Sequence, residues 1–155
     1  MKSERHLRVA ATAVCLYAAW QARDLPAAWL HSPFDHLGAL AFAVWAIPLG
    51  IGIAGNERPR PVWLCASLAI SLAGVVLDVN FFKNAGFATA LASFLSSGRR
   101  TAGRRLWVAG ALSWMPILGW LLDGEGPFFV NGLRLAIALG VSAAFLQGEQ
   151  RVEAL

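Results

Sequence analysis

The sequence predicts an all-α integral membrane protein, a single domain over residues 1–155 in which six transmembrane helices form a bundle with both termini in the cytoplasm. Three observations lead to this prediction. Hydrophobic residues make up 57% of the chain and charged residues only 14%, whereas a soluble domain carries about 25% charged residues. Six apolar runs are separated by short polar segments, and the cations are distributed unequally among those segments.

The first three apolar runs are Leu7–Trp20, Leu37–Ala54 and Val62–Leu77. The first is long enough to span a membrane if its helix extends over Arg5–Ala22. It ends without a small-x-small motif, so we expect no signal-peptide cleavage there. The second contains Pro48, which a membrane helix tolerates as a kink because neighbouring groups satisfy the freed backbone. An Arg/Pro-rich loop separates the second run from the third.

The last three apolar runs are Ala85–Leu95, Leu106–Leu122 and Phe128–Gln147. The fourth run of the chain, at eleven residues, is short, because about 20 residues are needed to span the hydrocarbon core. Extending it back to Val79 supplies the length but brings Lys83 into the span. The sequence therefore predicts a short fourth span or a re-entrant segment.

The distribution of cations predicts the orientation. With six spans, ten of the thirteen Lys and Arg residues fall on one side of the membrane: Lys2, Arg5, Arg8, Arg58, Arg60, Arg99, Arg100, Arg104, Arg105 and Arg151. Only Arg23 and Lys83 fall on the other side, and Arg134 lies within the last run. Because cytoplasmic loops carry an excess of Lys and Arg, we expect a multi-pass protein of the bacterial inner membrane.

The net charge of +4 does not indicate nucleic-acid binding, because the cations lie in short clusters between apolar runs. Expected partners are the lipid bilayer and other membrane proteins, and no cofactor is expected. One basic loop could also contact anionic lipid headgroups, although such loops more often only fix orientation. Its cations are Arg99, Arg100, Arg104 and Arg105.

Arg134 is the strongest polar signal inside an apolar run. A charge within a span is costly, so it pairs, extends to the interface or belongs to a functional polar site. Asn131 lies one helical turn away on the same face. We predict that Asp78 is the partner of Arg134, because it ends the third span on the same side of the membrane. The alternatives, Asp123 and Glu125, lie in a Gly-rich turn.

His31, Asp35 and His36 lie in the predicted external loop between the first two spans. Imidazole and carboxylate groups can bind Zn or Cu, but the two histidines are not spaced i and i+4. Haem would require histidines inside the spans. We therefore expect a solvated loop without a metal.

Cys65 is the weak candidate for a nucleophile. A reactive cysteine needs a neighbouring base or cation and access to water. Cys65 lies within an apolar run, as does Cys15, and no histidine follows His36. We expect both cysteines to be small buried hydrophobic residues.

Three segments occur in an order that is known from one family of membrane proteins. They are Ser32-Pro33-Phe34-Asp35-His36-x-Gly38, Arg58-Pro59-Arg60-Pro61, and Arg104-Arg105-Leu106-Trp107 leading to Met115-Pro116. On these motifs, roughly Leu7–Gly126 resembles the N-terminal half of exosortase/archaeosortase-family proteins, polytopic membrane transpeptidases that process sorting signals at protein C-termini. The resemblance implies a similar helical scaffold.

The resemblance does not extend to catalysis. The family's catalytic Cys, Arg and His lie in its C-terminal half. Cys65 lacks the glycine of the family's cysteine motif, and Asn131-Gly132-Leu133-Arg134 only faintly resembles an Asn-x-x-Arg element. The sequence favours a non-catalytic accessory or partner-binding membrane subunit. Two alternatives stay open: a minimal sorting transpeptidase that uses Cys65 and Arg134, and a small subunit of a respiratory, photosynthetic or transport complex.

Overall fold

The computed structural model describes residues 2–54, 58–95 and 102–153. Within these ranges the chain forms helices and turns, with no β-strand, so the all-α prediction is confirmed. The helices are α1 Lys2–Gln21, α2 Leu25–His31, α3 Gly38–Trp45, α4 Ile47–Ala54, α5 Pro61–Val76, α6 Asn80–Ser93, α7 Ala102–Ala109, a 3-10 helix Gly110–Ser113, α8 Ile117–Leu121 and α9 Pro127–Glu153.

One helix in the described ranges, over Pro127–Gln150, is long and apolar enough to cross a membrane. The apolar helical segments Gly38–Ile53 and Pro61–Val76 are shorter. At a rise of about 1.5 Å per residue, α5 extends only about 24 Å, less than the hydrocarbon core of about 30 Å. A single helix of sufficient length is weak evidence, so the helix lengths do not support six spans.

Prolines divide two of the predicted spans. Pro48 has no N–H to donate to the carbonyl of Val44, and the Ser142 hydroxyl donates to that carbonyl at 3.0 Å instead. The second run is accordingly divided into α3 and α4. In the fifth run, a 3-10 helix follows α7, and α8 begins only after Pro116.

The described chain contains two compact units, of which the first comprises Met1–Arg23 and Leu49–Arg99. Its α5 and α6 form a hairpin held by small residues. The Ser67 hydroxyl donates to the Gly86 carbonyl at 2.8 Å, and a Cβ at Gly86 would collide with Ser71. This close approach gives a helix interface made largely of backbone and hydroxyl groups.

The second unit comprises Asp24–Pro48 and Arg100–Leu155, and its core is aromatic. The rings of Trp45 and Trp107 stack with their centroids 4.5 Å apart and an interplanar angle of 5°. Each indole N–H donates to the other residue's backbone carbonyl at 2.7 Å. Trp114 lies 5.6 Å from Trp45, so aromatic contacts connect α3 with the segment from α7 to Trp114.

Candidate functional site

The candidate site lies in the second unit, where α9 contacts the segment between α2 and α3. Asn131 and Arg134 lie one turn apart on α9 and are 9% and 0% exposed. Each forms hydrogen bonds with residues of the segment 33–37. Together with Asp35, they form what we call the Arg134 cluster.

Arg134 is held by four groups. Its Nη2 donates to Asp35 Oδ1 and its Nε to the Phe34 carbonyl at 3.1 Å. Nη1 donates to the carbonyls of Ser113 and Met115 at 2.8 and 2.9 Å. In a continuous helix the Ser113 carbonyl would accept from the backbone N–H four residues later. The irregular backbone before Pro116 leaves it available to the guanidinium.

Asn131 fixes the backbone on both sides of Asp35. Its Oδ1 accepts from the Leu37 N–H at 3.0 Å, and its Nδ2 donates to the carbonyls of Pro33 and Pro127 at 2.9 Å each. The segment that carries Asp35 is thus positioned by hydrogen bonds to its main chain. The position of Asp35 opposite Arg134 is therefore set by the backbone of this segment as well as by the Asp35 side-chain rotamer.

Gly119 on α8 allows this approach. A Cβ at Gly119 would lie 3.0 Å from the Phe34 Cβ, 3.1 Å from Asp35 Oδ1 and 3.4 Å from Arg134 Nη2. Such distances are tighter than most real Cβ contacts. A larger residue here would press directly on the ion pair.

The side chains of Arg134 and Asp35 are 0% and 7% exposed. Removing two charges from water costs several kcal/mol per ion, on the order of what their attraction returns, unless further hydrogen bonds compensate. Here three backbone carbonyls supply those bonds to Arg134. Since a guanidinium stays protonated, Arg134 cannot act as an acid or base, and the cluster is suited to holding elements together.

The predicted partner of Arg134 was wrong. The guanidinium pairs with Asp35 rather than with Asp78, and Asp78 pairs with Lys83 at 2.8 Å on the turn after α5. The Asp78 side chain is 91% exposed. The hydrogen bond and the charge of Lys83 lower the pKa of Asp78.

The loop that was predicted to be external and solvated is not uniformly exposed. His31 and His36 are exposed, as expected, but Asp35 is buried, because Arg134 draws its carboxylate inward. The described residues contain no group of three or more His, Cys, Asp or Glu side chains arranged to hold a metal ion. The sequence placed Asp35 among the solvated loop residues, and its pairing with Arg134 was not predicted. The apolar Pro33-Phe34 directly before it was the available signal that this segment is buried.

The basic loop is only partly described, since Arg99 and Arg100 lie outside the described residues. Arg104 is buried and forms a two-point ion pair with Glu149, at 2.8 and 2.9 Å. Its guanidinium also lies 5.1 Å from the centre of the Phe145 ring. The Arg104 guanidinium is thus occupied by contacts within the protein. A contact with lipid headgroups stays a prediction for Arg105, which is exposed.

Both cysteines are free thiols, Cys15 half-buried and Cys65 exposed. The expectation that Cys65 is buried was wrong. The buried face of α5 includes Leu64, Ser67 and Ser71. Cys65 directly follows Leu64 in the helix and lies outside that face. It has no place in the Arg134 cluster, whose members all come from the second unit.

No protein-family model, curated protein or solved structure matches this chain. The resemblance to the exosortase/archaeosortase family therefore stays a prediction. What the fold and the site define is an all-α protein with a structural ion-pair cluster.

Proposed function

We propose that this chain is a multi-pass accessory or partner-binding subunit of the bacterial plasma membrane that has no catalytic activity of its own. The observation that carries the proposal is the distribution of side chains between surface and interior. Many large apolar side chains are exposed, while four small hydroxyl side chains of the described residues are fully buried. Soluble proteins favour the opposite arrangement.

The exposed side chains come from several helices and include Leu16, Ile51, Val62, Val76 and Phe128, which are 52–93% exposed. Burying one such side chain away from water is worth about 1.5–3 kcal/mol. A lipid bilayer would shield these side chains from water without a protein partner. The fully buried hydroxyl residues are Ser67, Ser71, Ser93 and Ser113. Such small residues are typical of helix contacts in membranes.

The six-span arrangement is part of this proposal. Its segments are α1, α3 with α4, α5, α6, α7 through α8, and α9. Segments shorter than the hydrocarbon core are accommodated by local thinning of the bilayer or by packing against other helices. The ten-to-two distribution of loop cations supports cytoplasmic termini.

We propose that the chain is not catalytic because its buried polar side chains, above all Arg134, are used in structural hydrogen bonds. A transpeptidase role would require Arg134 to contact a substrate. Instead its hydrogen bonds to Asp35 and to three carbonyls use four of its five N–H groups. The resemblance to exosortases likewise covers their scaffold and omits the catalytic half.

The proposal is tested by expressing the tagged full chain in a bacterium and washing the membranes with alkaline carbonate. We expect the chain to stay in the membrane pellet and to copurify, in mild detergent, with a specific membrane protein identified by mass spectrometry. Recovery in the soluble fraction would refute membrane insertion. A reporter fused after Leu155 should be cytoplasmic, and one fused after Gly124 should be external.

The enzyme alternative is tested in the same strain with Cys65→Ala, using Cys15→Ala as the matched control. Both variants should retain the partner and any phenotype of the wild type. If Cys65→Ala alone abolished a phenotype while the protein level stayed constant, the chain would be a cysteine-dependent enzyme.

A further inference from the structure

The connection between α8 and α9 concentrates large apolar side chains on the surface. Trp120 is 74% exposed, Leu121 62%, Phe128 93% and Phe129 53%. The first two end α8, and the other two lie in the first turn of α9. All four belong to the second unit, and the Arg134 cluster uses none of them.

These residues lie at the end of a potential span. The segment Pro127–Gln150 is the part of α9 that is long and apolar enough to cross a membrane. Phe128 and Phe129 are therefore at the level where a spanning helix leaves the hydrocarbon. Tryptophan favours that level, because its ring is apolar while its indole N–H contacts polar headgroups. The phenylalanine rings add apolar area beside it.

The charge of the connection restricts the kind of lipid. Asp123 and Glu125 are exposed between the two apolar pairs, and no Lys or Arg occurs between Arg105 and Arg134. An anionic headgroup would be repelled by the two carboxylates, with no nearby cation in sequence to compensate. A zwitterionic phospholipid leaflet fits an apolar surface that carries a small negative charge.

We infer that Trp120, Leu121, Phe128 and Phe129 form an aromatic anchor that inserts into the headgroup region of a zwitterionic phospholipid leaflet. The inference rests on the proposed membrane location and adds the lipid class and the depth of this segment. Arg134 follows Phe128 by six residues, which places the ion pair about 9 Å deeper along α9. At that depth its hydrogen bonds replace water.

The test uses the full chain reconstituted into phosphatidylcholine vesicles whose acyl chains carry bromine either near the headgroup or near the terminal methyl. Bromine quenches tryptophan fluorescence at short range. The emission of Trp120 is obtained as the difference between the wild type and Trp120→Phe. Trp114→Phe is the matched control, because Trp114 is also 0% exposed.

We expect the Trp120 emission to be quenched at least about twofold more by the shallow bromines than by the deep ones, as for a residue of the interface. The Trp114 emission should respond little to either. A second reporter, Phe128→Trp in the Trp120→Phe background, should repeat the shallow pattern. Replacing part of the phosphatidylcholine by phosphatidylglycerol at low salt should weaken the shallow quenching.

The outcomes separate this inference from the proposed function. If the chain resists alkaline extraction but Trp120 is quenched only by aqueous iodide, the anchor is refuted while the membrane subunit stands. The anchor is refuted in the same way if a copurified protein shields Trp120 from bromine and iodide alike. If the chain is released by alkali and the neutral vesicles still quench Trp120, the anchor stands and the integral subunit is refuted.

Discussion

The two units of this chain differ in the side chains that hold their helices together. In the first unit, α5 and α6 approach through Ser67, Ser71 and Gly86, so the contacts are short and involve backbone atoms. The second unit also has close approaches, at Gly103 and Gly110, and adds stacked indoles and the Arg134–Asp35 pair. The α5–α6 interface depends on the absence of side-chain volume, whereas the indole stack and the ion pair depend on particular large groups. The two sets of contacts should therefore respond oppositely to truncation and to added volume.

The largest expected effect is that of Arg134→Ala in the second unit. The substitution leaves the Asp35 carboxylate buried without its counter-charge, which costs about 3–5 kcal/mol when one partner of a buried pair is removed. Unfolding free energies in detergent, from titration with a denaturing detergent, measure this effect. The exposed Arg105→Ala is the control and should change stability by less than about 0.5 kcal/mol.

A double-mutant cycle sharpens the same comparison. Asp35→Ala alone leaves a buried guanidinium, and the double variant removes both charges. The double variant should therefore cost less than the two single changes summed. Amide hydrogen exchange of α5 and α6 should stay unchanged in all three variants. Additive single effects would show that the two side chains do not stabilise each other.

The helical class was predictable from this sequence, because composition and apolar runs depend on local residues alone. The partner of Arg134 was not, because Asp35 lies 99 residues away in the chain. Its burial follows from Asn131 and Gly119, whose contacts with the segment 33–37 are tertiary. Likewise, Pro48 was expected as a kink within a span. The division of the second and fifth runs into shorter helices frees backbone carbonyls, to which the distant side chains of Ser142 and Arg134 donate.

The second expected effect is that of Trp45→Phe. Phenylalanine keeps a ring against Trp107 but removes the indole N–H that donates to the Trp107 carbonyl. A buried carbonyl left without a donor, together with the lost volume, should cost about 2–3 kcal/mol. Near-ultraviolet circular dichroism should also lose the signal of the stacked pair. Trp20→Phe is the control, because Trp20 is 64% exposed.

The third prediction adds volume to the first unit. Gly86→Ala introduces a Cβ that collides with Ser71, and such overpacking should cost about 1–2 kcal/mol. Gly50→Ala is the matched control on α4, since a Cβ there meets nothing within 4 Å. The control should be neutral or stabilising, because Ala is the better helix former. Equal behaviour of the two variants would contradict the close approach of α5 and α6.

The smallest expected effect concerns the turn that ends α5. Asp78 adopts a positive φ of 51°, while the N–H groups of Val79 and Asp78 bond to the carbonyls of Gly74 and Val75. This is a Schellman motif, whose left-handed position is usually glycine. Asp78→Gly relieves the backbone cost but loses the exposed pair with Lys83. Asp78→Ala loses the same pair and keeps a Cβ in the unfavourable region.

We therefore expect Asp78→Gly to be more stable than Asp78→Ala at every pH, since only glycine adopts this conformation freely. The pH dependence then isolates the pair with Lys83. Because the folded-state pKa of Asp78 is lowered, the pair stabilises the protein above the unfolded-state pKa of about 4 and loses this effect as the pH falls through the folded-state value. Wild type should thus lose stability relative to Asp78→Gly on acidification below about pH 4.

Measuring both variants and the wild type by thermal unfolding in detergent between neutral and acidic pH gives the comparison. A wild type that gained on Asp78→Gly in acid would contradict the pair, and Asp78→Ala matching Asp78→Gly would contradict the left-handed backbone.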